Sequence, residues 1–259
     1  KPIHTSQILM MTTTNKQIIR DDSIDILRFI GISMIILVHC GAPMWLAQFR
    51  CFDVPLMFFV SGLAYSGKSI DNYLSYILKR AKRLLIPTWG FLLIFFALLA
   101  GALLVLHKQL PANNYFMESF AMTGGIGYVW IMRIFLLVAM ITPLLSYINT
   151  KINSENSFII NMFCVLGGGE LIVSLSSYYN GIPYLERFIN EWLITVISYS
   201  ILFLLGLRMR YFEQKQSSKF SILLVAIFGT SLIVYYFTNG LPIKFSPTYK
   251  YPPHSYYIL

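Results

Sequence analysis

The sequence has few charged residues, since Asp, Glu, Lys and Arg make up only 12% of its 259 positions. An ordinary soluble domain has about 25%. Apolar side chains account instead for 56% of the chain. A water-soluble fold of this length cannot hide that much apolar surface. The shortage of charge therefore excludes a soluble globular domain and predicts a membrane protein.

Cysteine is also scarce, and the chain has no spacing typical of a disulfide framework or a metal site. Cys40 and Cys51 are predicted near the same membrane face, where they are able to pair, but unpaired thiols are the favoured interpretation for these two and for Cys164. The net charge is +9, yet the Lys and Arg residues concentrate in two short segments between apolar blocks. Such clustering is typical of membrane orientation signals. We therefore predict neither a metal ion nor a nucleic acid partner.

The apolar residues form seven blocks of about 15 to 23 residues, near the length that a helix needs to cross a bilayer core of about 30 Å. The blocks lie near residues 27–46, 52–66, 84–106, 127–147, 158–177, 192–207 and 220–237. The predicted fold is all-α, a polytopic transmembrane helix bundle that forms one domain over residues 1–259. The second block is short, but the charge pattern favours a full crossing.

The distribution of basic residues predicts the orientation of this bundle. Residues 67–83 carry five Lys and Arg side chains against one Asp, and residues 208–219 are also basic. Because cytoplasmic loops are rich in Lys and Arg, we expect both segments in the cytoplasm, together with an amino-terminal tail over residues 1–25. The expected location is the plasma or inner membrane. Residues 241–259 contain four prolines and resemble the approach to a further span.

The first apolar block carries the most informative polar residues. Eleven steps of 100° place His39 within about 20° of Arg28 on the helix face and about 16.5 Å further along it. Asp25 lies one turn before Arg28 and is able to pair with it. Taken singly, Arg28 suits a snorkelling anchor and His39 a packing histidine. Their shared face in a predicted span favours a functional role for both residues. Imidazole is also well suited to general base catalysis near neutral pH.

Other polar residues in or beside the blocks are candidates for binding. Ser61 follows an aromatic-rich run, where small residues also permit close helix packing. Arg80 and Arg83 suit the phosphates of a cytosolic cofactor and also suit anchoring on anionic lipid. Arg133 and Glu170 are charges within predicted spans. One interpretation is structural, in which the two side chains pair with each other. The other is functional, in which Glu170 orients His39 or contacts a sugar hydroxyl.

Four of these segments, in this order, resemble the acyltransferase family 3 proteins, which are membrane enzymes that O-acylate bacterial surface and secreted glycans. Arg28 and His39 have the spacing of the family's Arg-x10-His motif. Residues 52–65 (FDVPLMFFVSGLAY) resemble its aromatic-Ser-Gly segment and are closest to the fucose 4-O-acetylase and capsule acetyltransferase subgroup. Residues 80–87 (RAKRLLIP) are similar to its basic run, and residues 128–137 (YVWIMRIFLL) to its fourth span.

The resemblance implies a transferase that moves an acyl group, expected to be acetyl from acetyl-CoA, to a hydroxyl of a cell-surface or secreted polysaccharide. Together with the helix geometry, it implies that Arg28, Arg80 and Arg83 bind the acyl donor. His39 is then the catalytic residue, which either takes the proton of the acceptor hydroxyl or first helps to pass the acyl group outward. The residues expected to support the site or to contact the acceptor are Asp25, Ser61, Trp130, Arg133 and Glu170. The expected partners are the lipid bilayer, acyl-CoA and a carbohydrate. Because family members usually have about ten spans of bilayer-crossing length, we expect this chain to be a fragment.

Two other functions fit part of this pattern. A lipid-linked sugar transporter or flippase also needs intramembrane Arg, Glu and His residues, but the sequence lacks the internal repeats typical of many transporters. A membrane assembly subunit without chemistry would tolerate replacement of Arg28 and His39. An acyltransferase is the preferred interpretation, because it accounts for the basic run as well as for the arginine and histidine that share a face.

Overall fold

The computed structural model of the chain describes residues 22–41, 43, 52–65, 72–126, 129–152, 154–175, 181–210 and 253. Helices account for most of these residues. They are α1 (Asp22–His39), α2 (Asp53–Leu63), α3 (Tyr73–Val105), α4 (Asn113–Phe120), α5 (Trp130–Lys151), α6 (Glu155–Ser174), α7 (Pro183–Arg187) and α8 (Thr195–Met209). A π-helical segment, Phe188–Ile194, joins α7 to α8 without a break. The predicted all-α fold is confirmed.

Four of the described helical segments are long and apolar enough to cross a membrane: α3, α5, α6 and Tyr184–Met209. Each coincides with a predicted apolar block. The first two blocks each contain a described helix, α1 and α2, but α1 contains charged residues in its first two turns. Helix α2 has 11 residues and covers only about 16.5 Å at 1.5 Å per residue. The seventh predicted block, residues 220–237, lies outside the described residues, as does the segment 241–259 apart from Pro253.

Three helices begin earlier than the apolar blocks indicate. Helix α3 starts at Tyr73 behind Asn72, whose side chain accepts a hydrogen bond from the Ser75 N–H at 3.0 Å. The basic residues 79–83 therefore lie in a helix and not in the predicted loop. The segment that leads into α8 starts at Pro183, a residue suited to a first helical turn, and not near residue 192. Helix α1 starts at Asp22, inside the predicted tail. Polar first turns extend these helices beyond their apolar stretches.

The main core lies between α2, α5, α6 and α8. At its centre, α2 and α8 pack with their backbones in contact. A Cβ added at Gly62 would lie 2.0 Å from the Phe203 carbonyl oxygen, and one added at Gly206 would lie 2.0 Å from that of Phe59. Only glycine fits such an approach, which is a common way for helices to associate in membranes.

Pairs of contacts give the relative direction of these helices. Helices α2 and α8 run the same way, because Phe58 stacks on Tyr199 while Gly62, one turn later, abuts Phe203. Helix α6 runs the opposite way to α8, because Glu155 at the start of α6 pairs with a residue at the end of α8.

Helix α3 lies against α5 in the opposite direction. Near the start of α3, the Tyr73 hydroxyl donates a hydrogen bond to the Met140 carbonyl at 2.8 Å, and the Tyr76 hydroxyl donates to the Ala139 carbonyl at 3.1 Å. Further along α3, Leu92 belongs to a second apolar cluster that also contacts the first turn of α5. This second cluster joins α3 to α4, where Phe96 packs 4.5 Å from Phe116 between ring centroids.

The cysteines described by the structure are free thiols. Cys40 and Cys164 are both exposed, while Cys51 lies outside the described residues.

Candidate functional site

A cavity of about 340 Å³ lies between α1, α2, α3, α5 and α8. Three arginines line it, Arg28 on α1 and Arg80 and Arg83 on α3, and Ser61 of α2 lines it as well. The structure thus brings together at one cavity four of the residues singled out from the sequence. We call it the arginine cavity.

The three arginines differ in how they are held. Arg28 donates a hydrogen bond from Nη1 to Asp25 Oδ1 at 3.0 Å, the pairing that their three-residue spacing predicts. Arg80 lies with its Cζ atom 5.5 Å from the centroid of the Tyr76 ring, in a cation–π arrangement. Among the described residues, no carboxylate forms a salt bridge with Arg80 or Arg83. The cavity therefore carries positive charge that an anionic ligand would neutralise.

Hydroxyl groups on the cavity wall donate to the main chain. Ser61 Oγ donates to the Met57 carbonyl at 2.7 Å, and Thr142 Oγ1 donates to the Val138 carbonyl at 2.8 Å. Each oxygen keeps lone pairs with which to accept a hydrogen bond from a ligand. Nucleophilic activation needs a base as the partner of the hydroxyl. The contact of Ser61 with its own helix therefore suits ligand binding better than covalent catalysis.

Part of the cavity wall is aromatic. Phe58 on α2 stacks on Phe135 of α5, with 4.1 Å between ring centroids and 10° between ring planes. On its other side Phe58 stacks on Tyr199 of α8 at 4.5 Å. Phe58 and Tyr199 are fully buried. The wall of the arginine cavity thus combines cationic side chains with stacked aromatic rings.

His39 lies apart from this cavity. It is the last residue of α1 and is exposed, whereas Arg28 lies near the beginning of that helix. Eleven residues of helix separate the two by about 16.5 Å. The structure keeps the predicted separation along α1 and does not place His39 among the residues that line the arginine cavity.

Arg133 belongs to a second polar group, at the start of α5. It is 7% exposed, its Nη2 lies 3.8 Å from Glu191 Oε2, and its Cζ lies 4.6 Å from the centroid of the Trp192 ring. Arg187 donates to the same Glu191 oxygen at 3.2 Å. The carboxylate beside Arg133 is therefore Glu191 and not Glu170. Sequence reasoning missed Glu191 because it fell just outside the predicted span that begins near residue 192.

Glu170 and Trp130 lie outside the arginine cavity. Glu170 is half-buried on α6 and lines a small cavity of about 10 Å³ with Ser198 of α8 and Pro253. Trp130 is the first residue of α5, with its ring centroid 6.4 Å from that of Tyr199. The predicted site residues therefore fall into separate groups in the structure and not into one cluster.

The lining of the arginine cavity includes polar residues that sequence reasoning missed, among them Tyr65, Tyr76 and Thr142. Tyr76 is four residues before Arg80, so the two share a helix face, and that spacing was an available signal. Thr142 lies on α5 and Tyr65 follows the end of α2, so neither has such a signal. Within the described ranges, no group of three or more His, Cys, Asp and Glu side chains is arranged to hold a metal ion.

A family model described as an acyltransferase domain matches residues 21–259 of the chain. The match contains every described helix and all of the residues that line the arginine cavity. No curated protein and no solved structure matched the chain significantly. The family match adds a reaction class to a cavity whose geometry alone indicates an anionic ligand with an apolar portion.

Proposed function

The chain belongs to acyltransferase family 3 and is a membrane-bound acyltransferase; from this premise we propose that it transfers an acetyl group from acetyl-CoA to a hydroxyl of a cell-surface or secreted polysaccharide. The observation that carries the proposal is the convergence of Arg28, Arg80 and Arg83 on one cavity that aromatic rings also line. A phosphorylated donor with a long, less polar arm matches both kinds of lining residue.

In this proposal the arginines bind the phosphates of CoA at the mouth of the cavity. Guanidinium groups make paired, charge-assisted hydrogen bonds to phosphate oxygens, and the absence of a carboxylate partner for Arg80 and Arg83 among the described residues leaves their donors available. Asp25 holds Arg28 in position through the 3.0 Å hydrogen bond. We further propose that this end of the bundle faces the cytoplasm, where acyl-CoA is present.

The pantetheine arm then extends inward along the wall of α2 and α5. Ser61 and Thr142 line this part of the cavity, and their oxygens are suited to accept hydrogen bonds from the amide N–H groups of the arm. The acyl thioester comes to lie toward the rings of Phe58 and Phe135. The arm is an extended chain, which suits the distance of about 16.5 Å between Arg28 and His39 along α1.

His39 acts as the general base at the other end of α1. Its imidazole takes the proton of the acceptor hydroxyl as that oxygen attacks the thioester carbonyl carbon. The tetrahedral intermediate collapses, the carbon–sulfur bond breaks, and the imidazolium returns the proton to the CoA thiolate. The products are a carbohydrate ester and free CoA. We place the acceptor beside this end of the bundle, with Trp130, Arg133 and Glu170 as supporting residues.

The proposal is tested with the purified chain in lipid vesicles, supplied with acetyl-CoA labelled in the acetyl group and with envelope polysaccharide. We expect label to appear as a base-labile ester on the polysaccharide. His39→Ala should lower the rate by about a hundredfold or more, the usual contribution of a general base. Arg28→Ala should raise the acetyl-CoA concentration needed for half-maximal rate.

His107→Ala is a matched control, because His107 is also an exposed histidine and lies on the turn that follows α3. It should transfer label at the parent rate. Folding of each variant is checked by thermal unfolding in detergent. Parent activity in folded His39→Ala protein would contradict the role of His39. Failure of the parent to transfer label from any acyl-CoA would contradict the proposed reaction.

A further inference from the structure

We propose that the stacked pair Phe58 and Phe135 determines which acyl chains the enzyme accepts and restricts the donor to short ones. This inference rests on the proposed function, because it assumes that the arginine cavity holds an acyl-CoA. Neither residue is among the predicted site residues. In this inference, the two apolar side chains determine the length of the acyl group that is transferred.

The pair forms an apolar part of the cavity wall where two helices meet. Phe58 lines the cavity from α2 together with Ser61, and Phe135 lines it from α5 together with Val138 and Ala139. The two rings are therefore the surface against which the proposed function places the acyl thioester.

The contacts of the pair make it a firm closure. The two rings are nearly parallel, with 4.1 Å between centroids, which leaves no gap between them for a further group. Tyr199 stacks on the opposite face of Phe58 at 4.5 Å and is itself fully buried. Phe58 is thus held between two rings. A longer acyl chain that extends from the cavity would have to displace a ring that is packed on both faces.

The ring stack continues behind the pair. Beyond Tyr199 the next ring is that of Trp130, 6.4 Å away between centroids, at the start of α5. A short, flat acetyl group held against the pair needs the smallest displacement of these rings, and each added methylene needs more.

The test compares acetyl-CoA, butyryl-CoA and hexanoyl-CoA as donors for the chain in vesicles, with kcat/KM measured for each. The variants are Phe58→Leu and Phe135→Leu, since leucine stays apolar and leaves a smaller void than alanine. We expect the ratio of hexanoyl to acetyl kcat/KM to rise by about tenfold or more in each variant, the range over which pocket size discriminates between chains.

Phe96→Leu is the matched control, because Phe96 is a buried phenylalanine in the second apolar cluster, away from the arginine cavity. The ratio of hexanoyl to acetyl kcat/KM in this variant should equal that of the parent. The inference is overturned if Phe58→Leu and Phe135→Leu both transfer acetyl but keep the parent ratio, or if Phe96→Leu changes the ratio equally. That result would leave the proposed function intact, whereas a parent inactive with all three donors would overturn both.

Discussion

The arginine cavity has two walls that are built in opposite ways. On one side α2 and α8 pack backbone to backbone through Gly62 and Gly206, and most of α8 is buried. On the other side α3 is 33 residues long, but only Leu92 and Phe96 are buried along it. Hydroxyl contacts from Tyr73 and Tyr76 hold the beginning of α3 against α5. One wall is a packed core, and the other is lightly attached.

Arginines on the two walls show the same difference. Arg208, near the end of α8, donates to both carboxylate oxygens of Glu155, at 2.8 Å and 3.1 Å, and to the carbonyls of Asn149 and Ile152. Its hydrogen-bonding capacity is used within the protein. Arg80 has no carboxylate partner among the described residues, although it faces a cavity. The packed wall thus fixes the shape of the cavity, while the lightly attached wall supplies charge for a ligand.

The largest effect is expected from breaking the packed wall. In Gly206→Ala the new Cβ would lie 2.0 Å from the Phe59 carbonyl oxygen, so α2 and α8 must move apart. Overpacking of a core costs about 3 kcal/mol or more when backbone has to shift. We expect a large fall in the thermal unfolding temperature in detergent, together with loss of acyl transfer. Gly62→Ala should behave in the same way.

The lightly attached wall provides the matched control for this prediction. A Cβ added at Gly90 or Gly101 of α3 meets no described atom within 4 Å. Alanine is the better helix former by about 1 kcal/mol. Gly90→Ala and Gly101→Ala should therefore unfold at the parent temperature or slightly above it. Equal destabilisation of the α3 and α8 variants would show that the two walls do not differ.

The next largest effect is expected from removing charge from the lightly attached wall. The double variant Arg80→Ala, Arg83→Ala should raise the KM for acyl-CoA by about a hundredfold, since each charge-assisted hydrogen bond contributes about 1.5 to 3 kcal/mol. Its unfolding temperature should stay close to that of the parent, because neither residue has a salt bridge to lose within the described part of the chain. A large fall in unfolding temperature with an unchanged KM would contradict the assignment of these residues to donor binding.

The opposite outcome is expected for the arginine of the packed wall. Arg208→Ala removes four hydrogen-bond contacts and leaves the half-exposed Glu155 without its partner. We expect a loss of about 2 kcal/mol in the free energy of unfolding, less than for a fully buried pair. The KM for acyl-CoA should change little in the protein that stays folded. An increase in KM as large as that of the double variant would place Arg208 in the donor site.

The sequence was sufficient to predict the helical membrane fold, because long apolar blocks have few other solutions. It was also sufficient to predict the pairing of Arg28 with Asp25, because that pairing depends only on spacing within one helix. It was insufficient to predict that the rings of Phe58, Phe135 and Tyr199 stack. Apolar residues occur on every face of a membrane helix, so periodicity does not indicate which of them meet.

Charge pairing between helices could not be predicted from the sequence either. Arg133 lies beside Glu191 because the π-helical segment that precedes α8 continues a helix begun at Pro183. The apolar block gave no sign of that early start. The sequence therefore places Glu191 in a loop, away from any arginine in a span, and favours Glu170 as the partner of Arg133 because Glu170 lies in an apolar block.

The smallest expected effect tests how lightly α3 is attached. Tyr76→Phe removes the hydroxyl that donates to the Ala139 carbonyl but keeps the ring beneath Arg80. Hydrogen bonds between membrane helices contribute about 0.6 kcal/mol on average, so the unfolding temperature should fall only slightly. The KM for acyl-CoA should rise about threefold, the factor to which that energy corresponds. Tyr76→Leu removes the ring as well, and its KM should rise further than that of Tyr76→Phe. If the two variants raised KM equally, the ring would have no part in holding Arg80, and the hydrogen bond to α5 alone would position the cationic wall.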